Sequence, residues 1–138
     1  MLDHPRGPAL LDAVARLLRE TLIPQLPPGA VFQARVAANA VDLAAREMRQ
    51  AADAERQARD RLKALLGHGG ELAALEAELA ERLRRGDIAT DHTDLQAHLW
   101  ATTLAKLAID QPGYAPYRRA LEQRADTTTD PLQHHAKE

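Results

Sequence analysis

Two sets of polar residues interrupt faces that are otherwise apolar, and these are where the chain can do chemistry. Arg35 and Asn39 are spaced i, i+4, so on a helix their side chains reach one point. A guanidinium beside a carboxamide can hold an anion or a carbonyl. Equally, Asn39 can hydrogen-bond a neighbouring helix and fix its register, because a buried amide must find partners. At about 100° per residue, Asn39 joins Phe32, Val36 and Leu43 in one row, with Arg35, Asp42 and Arg46 in the row beside it. The second set is Thr102, Thr103, Lys106 and Asp110, which fall in or beside the apolar arc whose edge Leu95 and Leu99 define. They are expected to point inward or into a cleft. Lysine rarely goes inside without a partner. Lys106 can snorkel, pair with Asp110 at i+4, bind an acidic ligand or phosphate in a cleft, or act as a base of lowered pKa. The candidate ligand-binding residues are Arg35, Asn39, Thr102, Thr103 and Lys106, and no residue is assigned a catalytic role.

Other chemistries find little support. The chain has no cysteine, which excludes disulfides, thiolate metal sites and cysteine nucleophiles. Asp91, Asp94 and His98 stand about one helical turn apart, but a solvated, capped helix start is the expected role, and neither a metal nor a cofactor is expected. The phosphate loop, the dinucleotide fingerprint, the nucleophile elbow and the HExxH helix are all missing. Gly67-His68-Gly69-Gly70 has no strand before it and no Lys-Ser/Thr after it, so it reads as a turn. A net charge of -2 with both signs interspersed argues against nucleic-acid binding. No apolar run approaches the roughly 20 residues of a membrane span, and the first six residues do not lead into a signal peptide. The expected setting is cytoplasmic.

The elements that must position these residues are helical. Among 138 residues there are 28 alanines and 21 leucines against only four aromatics, a balance that favours helix over sheet. Helix one is expected from Pro8 to Leu26, with Leu10, Leu11, Val14, Leu17, Leu18 and Leu22 on its inner face, and with Pro24 ending or kinking it near Ile23. Pro27-Pro28-Gly29 reads as a connection. Helix two can run from Ala30 to Leu66 without a break. Its middle carries only small apolar residues, Ala51, Ala54 and Ala58, in line with Leu62 and Leu65. It either forms an ordinary antiparallel helix pair or extends as an arm that grips a second subunit. Helix three is expected from Glu71 to Arg85, with Leu72, Leu75, Leu79 and Leu83 in one stripe and Gly86 as a left-handed stop. Helix four follows Thr90, Asp91 or Thr93 as N-cap and runs to Asp110. A short fifth helix, Pro116 to Arg124, packs through Tyr114, Tyr117 and Leu121. The fold expectation is a single all-α domain over residues 1–125, an antiparallel bundle of four main helices plus the short one. Residues 126–138 are expected to form a polar, flexible tail.

The segments Phe32-Gln33-Ala34-Arg35-Val36-Ala37-Ala38-Asn39-Ala40 and Ala101-Thr102-Thr103-Leu104-Ala105-Lys106-Leu107-Ala108-Ile109-Asp110-Gln111-Pro112-Gly113-Tyr114 together resemble the signature of an uncharacterised bacterial family. Its members are small all-helical proteins filed as a domain of unknown function. Their genes commonly lie beside acyl-CoA dehydrogenases and aminoglycoside-phosphotransferase-like kinases. The resemblance spans residues 5–118 and is weak through the alanine-rich middle. The family often has histidine where this chain has Gln33, which implies no imidazole chemistry there. The resemblance implies a non-enzymatic accessory or interaction protein whose partner is phosphotransferase-like or acyl-CoA dehydrogenase-like. The thin core adds the expectation of a homodimer or partner complex. The alternative is a protein that binds a phosphate or carboxylate ligand, such as a CoA ester, in a cleft of Arg35, Asn39 and Lys106, with or without weak catalysis.

Overall fold

A computed structural model describes residues 5–129. The chain is all-α: α1 is Gly7–Leu17, α2 Pro28–Leu66, α3 Leu72–Arg85, α4 Thr93–Asp110 and α5 Ala115–Thr129, with no strand among the described residues. No helix of that set is long and apolar enough to cross a membrane.

Proline chemistry explains the first connection. Pro24 has no N–H to offer the carbonyl of Glu20, so the helix cannot continue in α register. The chain instead opens into a π turn over Leu18–Leu22, in which the Ile23 N–H reaches back to Leu18, and closes with a 3-10 turn over Ile23–Gln25. The Pro27-Pro28-Gly29 connection is shorter than the sequence suggests. Pro28 already sits in the first turn of α2, where its fixed φ suits the helix and its missing N–H is not needed.

α2 is unbroken for 39 residues, about 58 Å at 1.5 Å per residue. It stops at Gly67, whose φ of 87° is a left-handed cap that a side chain would strain; Gly86 ends α3 in the same way. The N-cap of α4 is His92, not Thr90, Asp91 or Thr93. Its ring Nδ1 accepts from the Asp94 N–H at 3.2 Å, doing what a hydroxyl or carboxylate usually does.

All the other elements except α5 are laid along α2. α1 runs antiparallel to its N-terminal half, held where Arg49 pairs with Asp12, donates to the Pro8 carbonyl at 3.2 Å, and Arg19 meets Asp42 at 2.6 Å. α4 runs antiparallel further along, and Arg46 Nε donates to the Ile109 carbonyl at 2.6 Å at its end. α3 packs on the C-terminal part of α2. No Cα of α1 comes within 8 Å of α3 or α4, and none of α3 within 8 Å of α4, so α2 is the helix against which the other three pack most closely. α2 is long enough for α1 and α3 to occupy different stretches of it.

The leucine core lies at one end. Leu62 and Leu66 of α2, Leu75 and Leu79 of α3 and Leu95 of α4 form it, with Leu65, Leu72, Leu83 and Ile88 packed around. At the other end α1 turns inward only part of the apolar set expected there. Ala15 is buried, Leu11 and Leu18 are half-buried, and Leu10, Val14, Leu17 and Leu22 are exposed. The physical reason is close approach: Ala15 meets a helix whose own buried residues here are Ala38 and Ala45, and small side chains let the two backbones draw together. On α5, Ala120 is the buried residue, Tyr117 is half-buried, and Tyr114 and Leu121 are exposed. The helix runs to Thr129, so residues 126–129 of the expected tail are helical, and residues 130–138 lie outside the described ones.

Candidate functional site

The two polar sets predicted from sequence occupy different places. Asn39 accepts a hydrogen bond from Arg19 Nη2 at 2.8 Å, and the same guanidinium is ion-paired with Asp42. The asparagine therefore ties α1 to α2. Arg35 is exposed, with no hydrogen-bond or ion-pair partner among the described residues. Because Arg46 sits at the Ile109 carbonyl and the helices run antiparallel, Arg35 and Lys106 are displaced from that contact in opposite directions. At 1.5 Å per residue they stand roughly 20 Å apart along the axis, too far to hold one small group. Thr103 is exposed and donates to the Leu99 carbonyl at 2.8 Å, a bond within its own helix.

Thr102 and Lys106 do share a site, with residues that the sequence reading did not select. Between α2, α3 and α4 lies a groove of about 290 Å³. Its floor on α2 is Ala51, Ala54 and Ala58, side chains too short to fill the space against α4. The facing wall is Thr102, Ala105, Lys106 and Ile109 of α4. Leu72 and Glu76 of α3 close one end together with Arg61, while Glu47 and Glu55 of α2 add carboxylates to the lining. Neither Arg61 nor Lys106 has a carboxylate within salt-bridge distance among the described residues, although three glutamates line the same groove.

Three buried side-chain atoms among the described residues lack a hydrogen-bond partner: Arg61 Nε, Thr102 Oγ1 and His98 Nδ1. Two belong to the groove lining, and the third is one helical turn from Thr102. Each such atom costs about 1–3 kcal/mol when left dry and unpaired, so the groove is a place where polar atoms await a partner. His98 is not on the solvated helix start expected for it; only 3% of its surface is exposed. Burial pushes its pKa below the usual 6.5, and the Arg61 cation pushes the same way against a weaker upward pull from Glu76. At neutral pH the ring is therefore neutral, with one nitrogen a donor and the other an acceptor.

The inward side of α4 is thus Leu95, His98, Thr102, Ala105 and Ile109, with Leu104 also buried, while Leu99, expected at the edge of the apolar arc, and Trp100 are exposed. Arg61 gave no sequence signal, because it lies in a densely charged run with Arg56, Arg59, Asp60 and Lys63. No group of three or more His, Asp or Glu side chains among the described residues is arranged to hold a metal ion.

A second feature belongs to the other half of the molecule. Leu10, Val14 and Leu17 form one exposed row on α1, and on α2 Phe32 is 74% and Val36 51% exposed. Single exposed apolar residues are ordinary; these five lie on the half that lacks the leucine core.

No curated protein and no solved structure matches the chain. Residues 24–114, well over half of the chain and including the whole of α2, α3 and α4, match the family described as domain of unknown function (DUF6285), and the chain belongs to that family.

Proposed function

We propose that this chain is a non-enzymatic accessory protein that binds a protein partner through the outer face of its α1–α2 half. The observation that carries the reading is the exposed apolar set Leu10, Val14, Leu17, Phe32 and Val36, on the half that lacks the leucine core. Helical faces of this kind bury anchors at i, i+4 and i+7 spacing against a partner's groove or helix, and Leu10, Val14 and Leu17 have that spacing. The family resemblance suggests a phosphotransferase-like or acyl-CoA dehydrogenase-like partner. A second copy of the chain is the competing occupant of the same face. The reading takes the bacterial cytoplasm as its setting.

Sedimentation velocity tests this. The purified chain is run alone, and then with each candidate partner from its own host. A new, faster boundary is expected with one of them at micromolar concentrations, lost in Leu17→Glu and in Phe32→Glu while the helical circular dichroism is kept. A dimer of the chain alone that the same substitutions dissolve would assign the face to self-association. Separate boundaries with both partners, and a monomer alone, would overturn the reading.

A further inference from the structure

We infer that the α2–α3–α4 groove is a binding site for a short zwitterion, with its carboxylate at Arg61 and Thr102 and its ammonium towards Glu47 and Glu55. The site is independent of the interaction face.

The acid end follows from the unpartnered donors. Arg61 Nε and Thr102 Oγ1 are buried without partners and line one cavity from opposite helices. A carboxylate accepts from both at once, and a guanidinium meets it with matched planar geometry. His98, one turn before Thr102 on α4 and more than nine-tenths buried, has its own unpartnered Nδ1 under the influence of Arg61 and Glu76. Two of the residues with orphaned polar atoms line one groove and the third lies one turn along α4, where a purely apolar cavity would need none.

The middle is apolar. Ala54 and Ala58 give a smooth floor, and Leu72 and Ile109 flank it, so a short hydrocarbon stem can lie there. The volume, about 290 Å³, suits a small metabolite and is small for a nucleotide or a CoA ester.

The charge balance selects the rest of the ligand. Arg61 and Lys106 carry two positive charges, and Glu47, Glu55 and Glu76 carry three negative ones. A dianionic phosphate would gain the two cations but face all three carboxylates. A monocarboxylate with an ammonium at its other end satisfies both signs. Glu55 and Arg61 are six residues apart on α2, about 9 Å along its axis, which matches the span of a short ω-amino acid.

Titration calorimetry with four probes of equal stem length tests the assignment: 6-aminohexanoate, hexanoate, hexylamine and hexyl phosphate. Backbone amide shifts locate the binding. The expected result is that 6-aminohexanoate binds most tightly and shifts amides around Ala54, Arg61 and Thr102. Arg61→Gln and Thr102→Val should each weaken it about tenfold. Glu55→Gln should bring it down to the affinity of hexanoate. Ala54→Leu, which fills the floor and keeps every charge, should abolish binding while the thermal unfolding midpoint stays or rises; it guards against a loss caused by misfolding. No binding by any probe would mean that only water partners these atoms, and would overturn the inference. So would hexyl phosphate or hexylamine binding as well as the zwitterion, hexanoate matching it in the unmodified chain, or affinity that survives both Arg61→Gln and Ala54→Leu.

Discussion

Arg19 donates through Nη2 to Oδ1 of Asn39 at 2.8 Å, joining two helices across twenty residues of sequence. The same nitrogen lies 2.6 Å from Asp42, so one guanidinium fastens the end of the α1 hairpin to α2. The partners are partly exposed, which limits the strength of the contact. Arg19→Ala should lower stability by about 1 kcal/mol and Asn39→Ala by about half of that. In the Arg19→Ala background, Asn39→Ala should have almost no further effect, since it has lost its partner. Urea denaturation of the four proteins in the cycle measures this; fully additive losses would show that the contact contributes nothing.

The two ends of the molecule should respond differently to the same substitution. Leu62 is wholly buried in the leucine core, and Leu62→Ala should destabilise by about 3 kcal/mol. Leu10 lies on the exposed row of α1, and Leu10→Ala should stay within about 0.5 kcal/mol. If Leu10→Ala proved as damaging as Leu62→Ala in dilute solution, the outer face of α1 would have to be packed against something even in the isolated protein.

His98 makes stability fall on the acid side. Burial, then Arg61, hold its pKa below 6.5, whereas in the unfolded chain it titrates near 6.5. The unfolded state therefore takes up the proton more readily. The stability held by the neutral ring is complete above pH 6.5 and is lost as pH falls from there through the lower folded value. Thermal unfolding followed from about pH 7.5 down to about pH 5 should show a falling midpoint. His98→Met, similar in size and without a titrating group, should flatten that slope. An unchanged slope in the variant would assign the acid loss to carboxylates alone.

His68 should act with the opposite sign. At the turn between α2 and α3 its Nε2 lies 3.0 Å from Glu78 Oε2, and this hydrogen bond, followed by the one to the Gly69 carbonyl, raises its pKa above 6.5. Its contribution is complete below pH 6.5 and is lost as pH rises through the raised folded value. The group is exposed, so the effect on stability is small and the titration itself is the better readout. Proton NMR of the His68 ring should give a midpoint above 6.5 that falls towards the ordinary value in Glu78→Gln. A midpoint that ignores Glu78 would remove the pair from consideration.

The helices were legible because glycine and proline punctuate this chain sharply. The stops at Gly67 and Gly86 could be read in advance, whereas the sequence only allowed the run to Leu66, which the structure shows to be continuous. What could not be read was which face of α1 turns inward. Two apolar rows compete there, Leu10–Val14–Leu17 and Leu11–Ala15–Leu18, and hydrophobicity favours the wrong one. The choice is made by Ala38 and Ala45 on α2, whose small size rewards close approach and so selects the row with the alanine. The candidate site divides in the same way. Helical spacing was enough to turn Thr102 and Lys106 towards a common space. It could not bring in Arg61 and His98, because their burial depends on how α3 packs over the end of α2, a long-range fact that leaves no trace in local periodicity. Arg35 and Asn39 were paired by spacing alone, and Arg19, from another helix, claimed Asn39 first.

The unbroken length of α2 sets a fixed gauge between the molecule's two ends. Phe32 and Arg61 are 29 residues apart on it (61 − 32), about 43 Å of uninterrupted helix. A protein resting on Phe32 would not touch a small molecule lying against Arg61, whereas Leu10, beside the Pro8–Arg49 contact, lies level with the Glu47 end of the groove. The helix acts as a spacer bar: it would hold whatever sits in the groove at a constant stand-off from the bound partner.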